Sequence, residues 1–198
     1  MPSKADILAS IRRHNIKPQE LPSLDQAWIT YPDRVQQFTD VLSSIGARVV
    51  PVADIAAVQR DLDAHDLYVE AQQICSLVPG IARANVDLNA IEDPHALEAI
   101  DFAVLPAEFA VAENGAVWVT DAAVKHRALY FICQHLAFVV SRDQILNNMH
   151  EAYERLSFGS EPRFGAFIAG PSKTADIEQS LVIGAHGPKS TIVYLLGS

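Results

Sequence analysis

The chain has 198 residues, of which 49% are hydrophobic and 20% are charged. This composition is ordinary for a globular domain and supplies enough apolar side chains for a sizeable core. Fifteen Lys and Arg residues stand against twenty-four Asp and Glu residues, which gives a formal net charge of -9. Since such a surface repels phosphate polymers and anionic lipid, we exclude nucleic acid as a partner.

Targeting segments and metal motifs are not predicted. No apolar run approaches the roughly 18 residues that cross a bilayer, and the N-terminal residues lack the apolar core of a signal peptide, which indicates a cytoplasmic protein. Cys75 and Cys133 lie within or beside apolar stretches and are predicted to be buried, reduced thiols. Because neither belongs to a C-x-x-C motif, we expect no iron–sulfur cluster on this chain. The histidine spacing likewise predicts no metal site.

The N-terminal segment is predicted to be a helical appendage. Ser3 and Asp6 have the spacing of a capping box in front of an apolar stripe, which is typical of the start of an amphipathic helix. Prolines then interrupt the chain before the next helical pattern. We therefore divide the chain into an appendage over residues 1–30 and a single domain over residues 31–198.

The first half of that domain alternates between helical and extended patterns. Apolar spacing predicts a helix from Arg34 that stops at Gly46, then a strand near 48–52 and a helix from Asp54 to Leu62. Short apolar runs near 67–69 and 74–77 are of the kind buried in parallel sheets.

A β-hairpin is the most specific local prediction. Asn114-Gly115 lies between two strand-forming arms that extend from Phe109 to Val119. Asn-Gly favours a type I′ turn, because that turn needs a positive φ at both central residues.

The remaining pattern completes an α/β chain. Strands that alternate with helices, with one inserted hairpin, indicate a layered α/β fold with a mostly parallel sheet. Strands are predicted at 102–105, 135–140, 164–169 and 191–196, and a helix is predicted at 175–182. Another helix is capped by Ser141 and Gln144, and one of its faces is formed by Leu146, Met149, Tyr153 and Leu156.

The segment after Gly170 has the chemistry of an anion-binding loop. Gly165 and Gly170 have the separation of a nucleotide-binding loop, but Pro171 and the late position of Lys173 disfavour that function. A strand end with hydroxyls and a lysine, followed by a helix, still suits a small anion, which we expect at the carboxyl ends of the strands. The alternative is structural: Ser172 or Thr174 caps the helix, and the acids after it complement its dipole.

Three further polar residues are candidates for chemistry. His186 lies in a turn that a helix doubling back would bring near the 170s, although a loop histidine is also common on a surface. Glu113 directly precedes the hairpin turn and is either a catalytic carboxylate on a rigid element or a solvated acid. Arg127 is either surface charge or a fork for a carboxylate.

Together these segments resemble the LUD domain family. The resemblance rests on Ala110 to Gly115, on Arg127 to Val140 with His135, and above all on Gly170-Pro-Ser-Lys-Thr-Ala-Asp-Ile-Glu178 with His186-Gly-Pro188. It is closest to the small single-domain members of the lactate utilization protein C type, and it covers the chain from Asp101 onward.

Some positions depart from the family pattern. Ala103 to Pro106 replaces a Gly-Ile-Thr-Gly-like approach to the hairpin, and Asn114 stands where threonine usually follows the glutamate. Lys173 replaces the more frequent arginine, which keeps the charge but loses the bidentate fork.

The resemblance implies a fold like that of NagB, ribose-phosphate isomerase and the CoA-transferases. It implies a role in bacterial oxidation of lactate to pyruvate, beside two partner proteins that carry the iron–sulfur clusters. By analogy with class I CoA-transferases, Glu113 is the first catalytic candidate and His186 the second. The residues expected to bind a small anionic ligand are Gly170, Ser172, Lys173, Thr174, Asp176, Glu178, Gly187 and Arg127.

Three functions stay open at this point. The chain is a LUD component of an organic-acid oxidation system, an independent enzyme of the CoA-transferase or isomerase type, or an interaction subunit without chemistry of its own. Whether it is an enzyme is therefore undecided, and association into a homo-oligomer is compatible with each of the three.

Overall fold

Side-chain caps set the starts of four helices in the computed structural model, which describes residues 3–14, 19–156, 164–174 and 181–197. Ser3, Asp33, Asp54 and Asn148 each accept a hydrogen bond from the backbone N–H three residues later, which satisfies a donor that has no partner within the helix. The helices are α1 (Lys4–Arg13), α2 (Arg34–Ser44), α3 (Ile55–Asp63), α4 (Asp66–Glu70), α5 (Leu129–Ile132) and α6 (Met149–Arg155).

Strands fill much of the chain between these helices. Short 3₁₀ turns at Leu88–Ala90, Pro94–Ala99 and Arg142–Gln144 connect some of them. The strands are β1 (Arg48–Val52), β2 (Ile74–Ser76), β3 (Phe102–Pro106), β4 (Phe109–Val111), β5 (Ala116–Thr120), β6 (His135–Ser141), β7 (Ile145–Leu146), β8 (Gly165–Ile168), β9 (Lys173–Thr174), β10 (Val182–Ile183) and β11 (Ser190–Leu196).

The central sheet has five strands in the order β1-β11-β6-β3-β2, and every neighbouring pair is parallel. The predicted α/β fold with a mostly parallel sheet is therefore confirmed. Since the strands are parallel, their amino ends lie along one edge of the sheet. We call this edge the amino edge; its strands begin at Arg48, Ser190, His135, Phe102 and Ile74.

A second sheet lies against one face of the first, in the order β7-β4-β5-β8. Alternate residues of both sheets share one core, in which Phe138 and Val193 from the central sheet meet Ala110 and Val117 from the second. Helices α3 and α4 cover the other face of the central sheet, and α6 covers the outer face of the second sheet. Helix α2 contributes Phe38 and Leu42 to the shared core.

The hairpin prediction is confirmed, but the predicted turn type is wrong. Strands β4 and β5 pair antiparallel, with Val111 opposite Ala116, so that residues 112–115 form the loop. Gly115 alone in this loop has a positive φ, of 70°. The backbone N–H groups of Ala112 and Glu113 donate hydrogen bonds to the carbonyls of Leu146 and Asn147. Because these two residues pair with the chain at β7, the strands are joined by a four-residue loop and not by a two-residue turn.

Two helix predictions in the second half are corrected. The helix expected after Ser141 begins only at Met149, because Ile145 and Leu146 pair with β4 as a strand first. The helix expected over 175–182 is wrong at Val182, which pairs with Thr174 in an antiparallel ladder. Residues 175–180 lie outside the described residues.

The apolar run at 67–69 is also not a strand. It lies in α4, where Tyr68 is fully buried while Leu67 and Val69 are 37% and 48% exposed. The two-residue alternation in this short run reflects one buried residue between two exposed ones. The other predicted run does form β2 of the parallel sheet.

We predict that Gly115→Ala destabilises the protein by about 2–4 kcal/mol, because the left-handed conformation and steric crowding both penalise a side chain there. A Cβ at this position would lie 3.1 Å from the backbone N and Cα of Leu42. The matched control is Gly46→Ala, whose φ of +91° is also strained but whose Cβ would meet nothing closer than 3.7 Å. Urea unfolding should show the smaller loss for Gly46→Ala; equal losses would contradict the crowding at Leu42.

Candidate functional site

The two loops that carry the family-like motif are held together by backbone hydrogen bonds. The N–H of Ser172 donates to the carbonyl of Pro188, and the N–H of Gly184 donates to the carbonyl of Ser172, each at 2.9 Å. The expected approach of the 184–188 loop to the 170s is thus confirmed. The antiparallel pairing of β9 with β10 produces this approach, whereas a helix that doubles back was expected to produce it. We call residues 170–174 and 184–188 together the motif loops.

Gly187 lets the motif loops touch. A Cβ on Gly187 would lie 3.0 Å from the Cβ of Ser172 and 3.3 Å from the carbonyl oxygen of Phe131. Contacts this short would force Ser172 or the backbone at Phe131 to shift if a side chain were added. The glycine is therefore explained by close approach, and Phe131 at the end of α5 is a third wall of the same region.

Lys173 lies beside the C-terminal end of α2. A Cβ built on Gly46 would be 3.7 Å from the Nζ of Lys173 and 4.0 Å from Pro171. Gly170 has a φ of +72° and packs on Ile45, the C-cap of the same helix. A cation is favoured at a helix C-terminus, and the ammonium of Lys173 lies there on an exposed side chain.

The motif loops lie at the amino edge of the central sheet, so the expectation of a site at the carboxyl ends of its strands is wrong. Gly46 is two residues before β1, and Pro188 is two residues before β11. Both contact the 170–174 loop. The reason is the return of the chain from β8 in the second sheet, which brings residues 170–174 to the opposite edge of the central sheet.

Glu113 is exposed, and its carboxylate has a structural contact. Its Oε2 accepts a hydrogen bond of 2.8 Å from the backbone N–H of Met149, the first residue of α6. A carboxylate nucleophile was expected to be desolvated, whereas this one is open to solvent. The hairpin and the motif loops are nevertheless neighbours, because Gly115 packs on Leu42 and Gly170 packs on Ile45 of the same helical segment.

The other predicted site residues include His186 within the motif loops and Arg127 outside them. His186 is exposed in the 184–188 loop. Arg127 is also exposed, and its guanidinium lies over the ring of Phe164 at 5.3 Å, a favourable cation–π distance. Phe164 contacts the ring of Phe131, so Arg127 is connected to the motif loops through two aromatic rings. Asp176 and Glu178 lie outside the described residues.

A polar cleft of about 450 Å³ opens at the amino edge beside the motif loops. His135 forms part of its wall and its Nδ1 is 2.8 Å from the hydroxyl of Ser190. Burial lowers the pKa of His135, as do the nearby Lys189 and His65, while Asp101 opposes the shift. The full lining is Leu67, Glu70, Ala71, Gln72, Glu98, Ala99, Asp101, Gln134, His135 and Lys189.

Sequence reasoning missed this cleft. Asp101, Gln134 and Lys189 each stand immediately before a strand of the central sheet. The signal in the sequence is therefore a polar residue directly preceding an apolar strand. The carboxylate of Asp101 is already engaged, since it accepts hydrogen bonds of 2.9 Å from the N–H groups of Gln72 and Gln73.

A second polar contact, which is partly exposed, involves the outer strand β1. The carboxylate of Asp61 accepts hydrogen bonds from Arg48 at the start of β1 and from the hydroxyl of Tyr194 in β11. Burial by itself would raise the pKa of Asp61, but the hydrogen bonds from Arg48 and Tyr194 outweigh it and lower the pKa. This contact ties α3 to the two strands that flank the motif loops.

Cys75 and Cys133 are buried and free, as predicted. Burial raises the pKa of each thiol to about 12, and a thiol held protonated is a poor nucleophile and metal ligand. Among the described residues, no group of three or more His, Cys, Asp or Glu side chains has the arrangement of a metal site. No helix in the same part of the chain is long and apolar enough to cross a membrane.

Comparison with solved structures supports this class of architecture. The crystal structure of a DUF162 family protein from Deinococcus radiodurans superposes with a TM-score of 0.59 at 19% identity, over 83% of this chain and 96% of that chain. At that identity the likeness establishes the fold alone. The protein is thus of the class built on a parallel α/β sheet with a packed second sheet.

Sequence comparison identifies the family. The LUD domain family model matches residues 80–196, more than half of the chain, and the chain belongs to this family. Lactate utilization protein C of Bacillus pumilus is 32% identical over 117 residues, which are 57% of this chain and 48% of that protein. The protein YkgG of Escherichia coli is 34% identical over 98 residues, 47% and 42% of the two chains. The match thus spans about half the length of these curated relatives.

We predict that His135 makes the protein less stable in mild acid. Its pKa is lowered in the folded state from an ordinary value of 6.5, so the unfolded chain takes up the proton first as the pH falls. Stability is therefore lost as the pH drops from about 6.5 towards the folded pKa. Urea unfolding at pH 7.5 and pH 5 should show a smaller loss for His135→Gln than for the wild type.

The control for this prediction is His95, whose protonation changes stability with pH in the opposite direction. Asp93 hydrogen-bonds to the exposed imidazole of His95 and raises its pKa, so His95 contributes stability below pH 6.5 that is lost as the pH rises. His95→Gln should therefore steepen the acid loss slightly. An unchanged slope in His135→Gln would show that the cleft does not disfavour the imidazolium.

Proposed function

We propose that this chain is a LUD component of lactate utilization that binds a small carboxylate at the motif loops and acts with iron–sulfur partner proteins in the oxidation of lactate to pyruvate. The observation that carries the proposal is the joining of Ser172 to Pro188 and Gly184, which assembles the two separated motif segments into one region beside Lys173. Relatives named lactate utilization protein C support the pathway.

The charge of this region suits a small anion. The whole chain carries a formal net charge of -9, so an anion is attracted only where cations are concentrated. Lys173 lies within the motif loops and Lys189 directly follows them, both with exposed side chains. Arg127 lies over the ring of Phe164, which contacts the ring of Phe131. A carboxylate bound there would pair with the ammonium of Lys173, with the hydroxyls of Ser172 and Thr174 as further hydrogen-bond donors.

The chemistry of the chain's own residues supports placing the iron–sulfur clusters on the partner proteins. An iron–sulfur cluster is held by several cysteine thiolates, whereas this chain has two cysteines, both buried as protonated thiols. The donor set here does not fit a cluster. In the proposal the clusters belong to the partner proteins, and this chain positions the acid or contacts the partners.

The CoA-transferase alternative has weaker support. A glutamate that forms an acyl anhydride needs a desolvated and fixed carboxylate. Glu113 is exposed, and its carboxylate is engaged at the start of α6. A purely interacting subunit remains the main competitor, and it differs from our proposal in having no affinity for the acid.

The pathway and the partners are tested in a host that carries the gene. Deletion of the gene should abolish growth on lactate while growth on pyruvate continues, because the proposed step lies between these two acids. A tagged chain purified from lactate-grown cells should retain proteins that contain iron and acid-labile sulfide. Normal growth on lactate, or a chain that purifies alone in both media, would contradict the proposed pathway role.

Lys173→Met should weaken binding of lactate or pyruvate by about 10- to 100-fold, the usual loss when one charge-assisted hydrogen bond is removed. Lys173→Arg keeps the charge and should retain most of the affinity. Titration of the chain with each acid, followed by NMR, measures the effect directly. The control is Lys125→Met, which removes a lysine already bonded to Glu92 at 2.8 Å. Wild-type protein that binds neither acid would favour the purely interacting subunit.

A further inference from the structure

Thr191 is a buried polar residue whose hydroxyl has no hydrogen-bond partner among the described residues. Its side chain is 2% exposed, and its Oγ1 bonds to no group in that part of the chain. Asn148 is buried to the same degree, but its amide donates to the carbonyl of Ile29 and accepts from the N–H of Glu151. A buried hydroxyl without a partner is costly. Packing alone therefore does not account for Thr191.

The side chain of Thr191 lies on the face of the central sheet that meets the second sheet. Side chains alternate along a strand, so Thr191 shares its face with Val193, a member of the shared core. Its partner in β6 is Leu136, which belongs to the same core. The preceding residue, Ser190, points to the opposite face, where its hydroxyl is 2.8 Å from the Nδ1 of His135 in the polar cleft. Thr191 therefore does not belong to that cleft.

The motif loops cross the start of β11 on the face that carries Thr191. They pack on Ile45, which precedes β1, and they approach the carbonyl of Phe131, which precedes β6. Strands β1 and β6 are the two neighbours of β11, and the loops continue into β11 itself through Pro188. Since Ile45 also packs against the shared core, the loops cover that face. Thr191 is the first residue of β11 beneath them.

The motif loops have an apolar inner side and a charged outer side. Pro171 and Pro188 are buried, whereas the side chains of Lys173 and His186 are exposed. A ligand that enters between the loops therefore meets a cation at the surface and a single hydroxyl among apolar groups below. A second charge on the inner side would be buried without a partner, which is strongly unfavourable. The arrangement suits a short acid with one neutral polar oxygen.

We propose that the hydroxyl of Thr191 hydrogen-bonds the oxygen on the carbon next to the carboxylate, so that the site selects short 2-hydroxy and 2-oxo acids. The inference rests on the proposed function, because it requires the carboxylate to be bound at Lys173. A threonine hydroxyl both donates and accepts, so it can accept from the hydroxyl of lactate and donate to the keto oxygen of pyruvate. An acid without this oxygen leaves the hydroxyl unpaired, and this difference is the source of the selection.

The first test compares lactate and pyruvate with propionate, which lacks the 2-oxygen. NMR titration of the wild type should show lactate and pyruvate binding about 10-fold more tightly than propionate, the usual effect of one hydrogen bond. Thr191→Val removes the hydroxyl and keeps the branched shape, so it should bind all three acids as weakly as the wild type binds propionate. Thr191→Ser keeps the hydroxyl and should retain most of the preference.

The second test measures stability without any acid. Thr191→Val should raise the urea midpoint of unfolding, because the variant no longer buries an unpaired hydroxyl. The matched control is Thr39→Val, whose hydroxyl donates to the carbonyl of Val35 at 2.8 Å. This control should not raise the midpoint and should leave the preference for lactate intact. An unchanged or lower midpoint in Thr191→Val would show that the hydroxyl already has a partner, such as a buried water, and would overturn the inference.

The titrations distinguish failure of this inference from failure of the proposed function. Wild-type protein that binds lactate and propionate equally overturns the role of Thr191 and leaves the carboxylate site at Lys173 in place. A preference for lactate that persists in Thr191→Val has the same meaning, because another group then recognises the 2-oxygen. Wild-type protein that binds none of the three acids overturns both.

Discussion

Insertion of β11 between β1 and β6 is the constraint on which the rest of the structure depends. The last strand of the chain pairs parallel with both neighbours, from Ser190 opposite His135 to Leu196 opposite Ser141. A strand buried in the middle of a parallel sheet must satisfy both rows of its backbone hydrogen bonds. The chain before it must therefore enter at the amino edge, which fixes the position of Pro188 and, through it, of Ser172.

Polar groups accumulate at the amino edge for the same reason. The starts of four neighbouring strands bring together Arg48, Ser190, His135 and Asp101, residues that are far apart in the sequence. Each is held by a specific contact: Arg48 by Asp61, His135 by Ser190, and Asp101 by the backbone at Gln72 and Gln73. Buried or half-buried polar groups require such partners. The edge is thus structurally ordered before any ligand binds.

At two places the local sequence favours one conformation and long-range backbone pairing imposes another. Asn114-Gly115 favours a tight turn, yet the N–H groups of Ala112 and Glu113 bond to the chain around β7 and open the loop. Leu146 and Met149 share a helical face in the sequence, yet Ile145 and Leu146 pair with Ala110 and Val111 as a strand. In both cases a long-range backbone pairing outweighs a propensity of a few tenths of a kcal/mol per residue.

The same competition between local propensity and long-range pairing explains which features of the candidate site the sequence predicted. The sequence located the motif segments, the lysine and the glycines, because these are properties of residue type and spacing. It placed Glu113 directly before the turn, whereas the loop covers residues 112–115 and Glu113 lies inside it. The use of its carboxylate at Met149 depends on where β7 ends and α6 begins. The division into residues 1–30 and 31–198 stays a prediction, and the contacts of Trp28 and Ile29 with α6 lie at that proposed boundary.

The sequence by itself determined the helix cap at Ser3, the helix that begins near Asp54, the apolar strands, the existence of the hairpin and the resemblance to the LUD family, because each depends on neighbouring residues. Tertiary structure alone decided that the motif loops meet at the amino edge, that Val182 is extended, and that a cleft opens beside His135. These features depend on which strands become neighbours, and strand order is set by pairing between segments as distant as Arg48 and Ile192. Local spacing carries no information about such pairs.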